Sequence, residues 1–151
     1  MAIKRLCLVT LLAAIAATPL SAGAPEIARS RIESYRELGA AFKTVNDSLR
    51  GDEVQTVLIG QAARHIRNAS QGQYGWFPAG SGPQAGVKTK ARPEIWTQAA
   101  RFKAAQDAFA KAASDFQKAV ASRNPATMRA QAKALGASCK GCHDSFRTRE
   151  D

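Results

Sequence analysis

Three residues near the C-terminus carry the most specific chemistry in the chain. They are Cys139, Cys142 and His143, in the run Cys139-Lys140-Gly141-Cys142-His143. On a helix, two thiols three residues apart face one way, and an imidazole four residues after the first rises on the same side. Each thiol can then add to one vinyl group of a haem, and the imidazole can ligate its iron. Two other chemistries use part of the pattern. A disulfide redox pair does not require the histidine and usually sits in a βαβ setting. A structural zinc site needs a fourth ligand, and the only other histidine is His65. The run is therefore read as the attachment site of one covalent haem c, with His143 as the metal ligand.

The N-terminus bears on that choice. Lys4 and Arg5 precede an apolar run from Leu6 to Ala17, followed by Thr18-Pro19-Leu20 and small residues through Ala24. This order describes a secretory signal peptide, and the run is too short to span a bilayer, which takes about 20 residues. Cleavage is expected between Ala22 and Ala24, giving a leader over 1–23 and one domain over 24–151. Cys7 leaves with the leader. The formal net charge of +10 for the whole chain becomes about +8. Nucleic acid is the usual reading of such a charge, but an exported protein rarely meets it. Anionic partners or membrane surfaces suit it better, as does a plain solvated basic surface. A periplasmic location is expected, with no membrane span once the leader is gone.

The elements that must position the three residues read as helices. The first spans roughly Glu26 to Leu49, with Ala28, Arg31, Tyr35, Leu38, Phe42, Val45 and Leu49 spaced alternately by three and four. Arg50-Gly51-Asp52 breaks the chain, and Val54, Val57, Leu58, Ala62, Ile66 and Ala69 form the apolar set of the second. From Gln71 to Arg92 a glycine- and proline-rich loop follows. Its Tyr74, Trp76 and Phe77 want something to cover, and a loop of this length in a compact domain is usually functional or disordered. The third helix is predicted from Pro93 to about Ser122, with Ile95, Phe102, Phe109 and Phe116 at seven-residue intervals. Asn124-Pro125 caps and opens the fourth, which runs to about Thr148 with Met128, Leu135 and Cys142 on one stripe. The pattern predicts an all-α antiparallel four-helix bundle with haem c near the C-terminal helix.

A haem motif on the last helix of such a bundle resembles the class II cytochromes c, most closely cytochrome c′. The resemblance covers essentially the whole chain after the leader. It is most specific in Ala91-Arg92-Pro93-Glu94-Ile95-Trp96 and in Ala137 through Arg147, and the fragment Phe77-Pro78-Ala79-Gly80-Ser81 also fits. It implies that an arginine near the start of the first helix is followed four residues later by the residue facing the distal side of the iron. Laying Arg50-Gly51 on the family's basic-glycine pair puts these at Arg31 and Tyr35, with Leu38-Gly39 where the family often has Met-Gly. An arginine on a bundle seam is costly unless it meets an anion. A haem propionate would supply one; the alternative is a side chain that snorkels to solvent. Phe77 is counted with the residues around the haem. Arg147 stands where the family has an arginine near the proximal pocket that influences gas binding there. It reads equally well as a surface arginine compensating a helix dipole. Phe146 is expected to cover the proximal side and Lys140 to face solvent.

Tyr35 decides the coordination expected at the iron. Methionine-ligated relatives carry methionine at this position and are six-coordinate. Here Met128 lies on the haem helix itself, about 22 Å along the axis from His143 at 1.5 Å per residue, so it is read as core. Tyrosine can ligate haem iron, but an unperturbed phenol titrates near pH 10. A neutral ring packed over the haem is the preferred reading, and it is compatible with a plain core tyrosine. His65 is expected to be exposed or hydrogen-bonded rather than a sixth ligand. The leading expectation is a five-coordinate, high-spin iron that binds nitric oxide and carbon monoxide and can exchange electrons with redox partner proteins. The competing one is a six-coordinate, low-spin electron carrier. Peroxidase turnover is set aside, because no distal histidine and arginine pair is evident, and no enzymatic role is expected. The resemblance also implies a homodimer paired through the first two helices.

Overall fold

The computed structural model describes residues 23–51 and 53–149. The expected leader therefore lies outside the described residues except for Gly23, which precedes the first helix. That helix, α1 (Ala24–Arg50), has Pro25 in its first turn. The Glu26 carboxylate accepts the Gly23 backbone N–H at 3.2 Å, tying up an end group that the helix itself leaves unpaired. At its other end Arg129 Nε donates to the Leu49 carbonyl at 3.0 Å. The expected seam faces inward: Ala28, Arg31, Leu38, Val45 and Leu49 are buried, and Tyr35 and Phe42 are half-buried.

α2 (Thr56–Gly72) buries Ile59, Ala62, Ala63, Ile66 and Ala69. Val57 and Leu58, expected in the same apolar set, are instead 72% and 42% exposed. The buried residues recur at three- and four-residue steps from Ile59, and that phase turns the first turn of the helix outward. The predicted third helix is also revised. It is a short α3 (Glu94–Thr97) and a long α4 (Ala99–Ala121), separated at Gln98, whose φ of −122° and ψ of 48° are not helical. The break turns α3 toward the preceding loop, where Trp96 Nε1 donates to the carbonyls of Phe77 and Pro78, both at 3.2 Å.

α5 (Pro125–Phe146) starts as the sequence suggests: Asn124 Oδ1 accepts from the Thr127 backbone N–H at 3.0 Å and Pro125 lies in the first turn. The helices pack in a ring, α1 on α2, α2 on α4, α4 on α5 and α5 on α1. This is a four-helix bundle, and no described residue lies in a β-strand. Val45, Ile59, Ile66, Phe116, Met128 and Leu135 are its largest wholly buried apolar residues, so Met128 is core. A second, smaller core of Ile95, Phe102 and Phe146 sits toward the C-terminal end of α5.

The segment between α2 and α3 is ordered by hydrogen bonds. It contains two short 3₁₀ turns, Gln73–Gly75 and Pro83–Ala85. The buried Gln73 donates to the Gln106 carbonyl at 3.2 Å, and Gln106 returns a bond to the Gln73 carbonyl at 3.1 Å. Further on, the Arg92 N–H donates to Phe146 O at 3.0 Å and the Thr148 N–H to Lys90 O at 2.9 Å. These bonds flank a single antiparallel bridge between Ala91 and Arg147, which ties the end of α5 to the approach to α3.

Candidate haem site

The last turns of α5 bring Cys139, Cys142 and His143 onto one side of the helix. Each cysteine meets a different cluster. Cys139 packs at the edge of the main core, where Tyr35 and Trp76 also lie, and Cys142 packs with Phe77, Ala91 and Trp96 against the smaller core. Both thiols are free and half-buried. Burial holds both above the usual thiol range, and Cys142 is pushed up to about 11 by burial and then by Cys139. They are thus protonated at neutral pH. His143 is the most exposed of the three. Partial desolvation and then the Arg147 charge lower its pKa, with Asp144 opposing. That favours the neutral imidazole, the form that ligates metals.

Tyr35 approaches from α1. Its ring sits edge-on to Trp76 at 5.0 Å between centroids and tilted against Phe77 at 6.1 Å. Phe77 in turn meets Phe102 at 4.8 Å and Trp96 at 6.2 Å, and Phe102 meets Phe146 at 5.1 Å. An aromatic wall therefore runs from α1 through the loop to the end of α5. Burial raises the Tyr35 phenol well above its ordinary value, reinforced by Cys142 and opposed by Arg31. The phenol is neutral.

Arg31, one turn before Tyr35, does not snorkel; it is 3% exposed. Its guanidinium donates to Trp76 O at 3.0 Å, Ser81 Oγ at 2.9 Å and Ser81 O at 2.7 Å, and stacks 4.6 Å from the Phe77 centroid. Desolvation lowers its pKa, opposed by Tyr35, yet a guanidinium stays charged in a protein. Arg147 is exposed and ends α5, its N–H donating to His143 O at 3.1 Å. Phe146 is buried, and Lys140 is exposed and paired with Asp144 at 2.5 Å. His65 is exposed on α2.

Sequence reasoning did not single out Ser81, Trp96 or the Gln73–Gln106 pair as parts of the frame around these residues. The unusual aromatic content of a glycine-rich loop was the available signal for the segment, though not for its partners.

This donor set fits haem c. Two free thiols and a neutral imidazole share one side of a helix, and the thiols pack where the aromatic wall meets the two cores. Gly136, one turn before Cys139, lets α1 come close: a Cβ there would lie 3.1 Å from Phe42 Cζ. Among the described residues no group of three or more His, Cys, Asp and Glu side chains is arranged to hold a bare metal ion.

A helical bundle bearing a haem c attachment run on its last helix defines a class II type of cytochrome. Residues 26–147 match the family described as Cytochrome C′. A cytochrome c′ of Pararhodospirillum photometricum is 32% identical over 121 residues, covering 78% of this chain and 92% of the relative. One from Rubrivivax gelatinosus is 41% identical over 68 residues, covering 45% of this chain and 53% of the relative. Variants of Alcaligenes xylosoxidans cytochrome c′ solved with nitric oxide and with carbon monoxide each superpose with a TM-score of 0.76 at 26% identity, covering 85% of this chain and 98% of theirs. The chain belongs to the cytochrome c′ family, which binds one covalent haem c.

Replacing Cys139 and Cys142 together, or His143 alone, should abolish a stable haem protein. Acid-acetone extraction checks the attachment: haem should stay with the wild-type chain. A Cys139/Cys142 double variant that retains haem through extraction would contradict attachment at these residues.

Proposed function

We propose that this chain is an exported haem c protein whose iron takes His143 as its only protein ligand, binds nitric oxide and carbon monoxide, and exchanges electrons with a partner protein. When bound, haem c supplies an iron that can accept a diatomic ligand at an open position and change its redox state by one electron. The residues around it decide which of these the protein favours.

Tyr35 is the observation that carries the reading. It points into the site from the neighbouring helix α1, it is wedged between Trp76 and Phe77, and its phenol is held neutral by burial. A neutral ring packed in this way supports occlusion of the distal position rather than ligation. Met128 is in the core and His65 is exposed, which supports the absence of a sixth protein ligand. The surrounding aromatic side chains favour uncharged ligands, and the Tyr35 hydroxyl could donate a hydrogen bond to one of them. The gas complexes of the A. xylosoxidans relative support the same choice of ligand.

Arg31 supports a propionate contact. None of the carboxylates of the described residues pairs with it, and its three hydrogen bonds leave N–H donors to spare. The leader-like N-terminus supports periplasmic location. Among the described residues no helix is long and apolar enough to cross a membrane. The outward-facing Val57 and Leu58 support pairing of two copies through the first two helices, because adjacent apolar side chains on a helix gain by being covered.

Removing the ring should open the distal side at a cost in packing. Tyr35→Ala should bind carbon monoxide more tightly or faster while losing about 3–5 kcal/mol of stability, as buried aromatic truncations do. Stopped-flow binding and chemical denaturation measure the two effects, and an unchanged or weaker affinity would sink the proposed role of the ring. Light scattering at micromolar concentration should give the mass of a dimer, and Val57→Lys should shift it toward the monomer. A wild-type protein that gives only the monomer mass would remove the pairing.

A further inference from the structure

Arg31 makes an uncommon set of contacts for a buried cation. Its three hydrogen bonds all go to one short segment, residues 76–82, and two of them go to Ser81, which is fully buried. Hydrogen bonds from a charged donor are roughly twice as strong as neutral ones. Carbonyl dipoles, the Ser81 hydroxyl and the Phe77 and Trp96 faces offset the burial of this charge in the described residues. Ser81 is held in turn by Pro78 O, which accepts from its Oγ at 2.8 Å and its backbone N–H at 3.2 Å. Gly82 closes the segment against α3: a Cβ there would lie 2.9 Å from Trp96 Cζ3.

The segment carries the rings that cover Tyr35, Trp76 on its edge and Phe77 beside it. Pro78, Ala79 and Gly80 between these rings and Ser81 are exposed. The strap's apolar anchors, Trp76 and Phe77, and the Trp96 bonds to the carbonyls of Phe77 and Pro78 all lie in its first half, so the part beyond Pro78 opens locally at modest cost unless polar contacts hold it. Arg31 and Tyr35 are one turn apart on α1, so the helix that presents the occluding ring also holds the strap that keeps the ring in place.

We infer that Arg31 is a positioning residue that latches the 76–82 strap across Tyr35 and so sets how often a gas molecule can pass the ring to the iron. This rests on the gas-binding reading above and deepens it. The latch acts on the rate of entry. A propionate contact by the same guanidinium would act on the iron's electrostatic surroundings, and the two effects separate experimentally.

Ser81→Ala in the haem-loaded protein removes one acceptor of the latch, together with the Ser81 Oγ bond to Pro78 O, and leaves Arg31, Tyr35 and every charge in place. Backbone amides in 76–82 should then exchange hydrogen about tenfold faster in the ferric protein, read by mass spectrometry without any gas. Carbon monoxide association with the ferrous protein should rise by a similar factor, the change that about 1.4 kcal/mol represents, and the midpoint potential should not move. Arg31→Lys, which keeps the charge and loses the two-nitrogen fork, should quicken both in the same way. Faster exchange with unchanged association overturns the latch, as does no change in either. A shifted potential in Ser81→Ala assigns the effect to the iron's surroundings and overturns it too. A wild-type protein that takes up no carbon monoxide removes the gas-binding reading and the latch with it; uptake by the wild type with unaltered variants overturns the latch alone.

Discussion

The site depends on keeping the last turns of α5 helical. Cys139, Cys142 and His143 share a face only if the helix persists through His143, and helix ends fray unless something ties them down. Two features hold this one. The backbone of Lys90–Arg92 pairs with Phe146–Thr148 just beyond the histidine, and Phe146 is buried against Phe102. The residues before α3 thus fix the end of α5, and the same α3 positions Trp96 beneath the loop. Attachment geometry, loop placement and the break at Gln98 are consequences of one packing arrangement.

The opposite wall of the site follows from α1. Its seam brings Arg31 and Tyr35 inward together, one turn apart, and assigns them different tasks. Tyr35 has a neutral, buried phenol against two aromatic rings. Arg31 retains its charge and gathers the loop's carbonyls. The small residue Gly136 on α5 allows Phe42 to lie close by. A larger residue there would push α1 and α5 apart just beside Cys139.

Much of this was legible in the sequence because it is periodic or local. The seams of α1 and α5, the Asn124 cap and the Cys139–His143 run each depend on residues within a few positions of one another. What could not be read depends on distant partners. Arg31 and Ser81 are fifty positions apart, and two of the three acceptors of Arg31 are backbone carbonyls, which leave no mark in the residue types. The break at Gln98 is set by where Trp96 must reach, and the seven-residue spacing from Ile95 to Phe102 runs across it unaltered. Val57 and Leu58 misled for a related reason: an apolar residue in a first turn fits the pattern of the helix even where the phase of the buried face turns it outward.

The central claim is that the iron has one protein ligand, His143, and an open position screened by Tyr35. Electron paramagnetic resonance of the resting ferric protein, with its visible spectrum in both redox states, tests this most directly. The account predicts high-spin signatures in both oxidation states before any gas is added. A low-spin ferric signal with a sharp α band on reduction would mean that a sixth ligand already occupies the iron, and would contradict it.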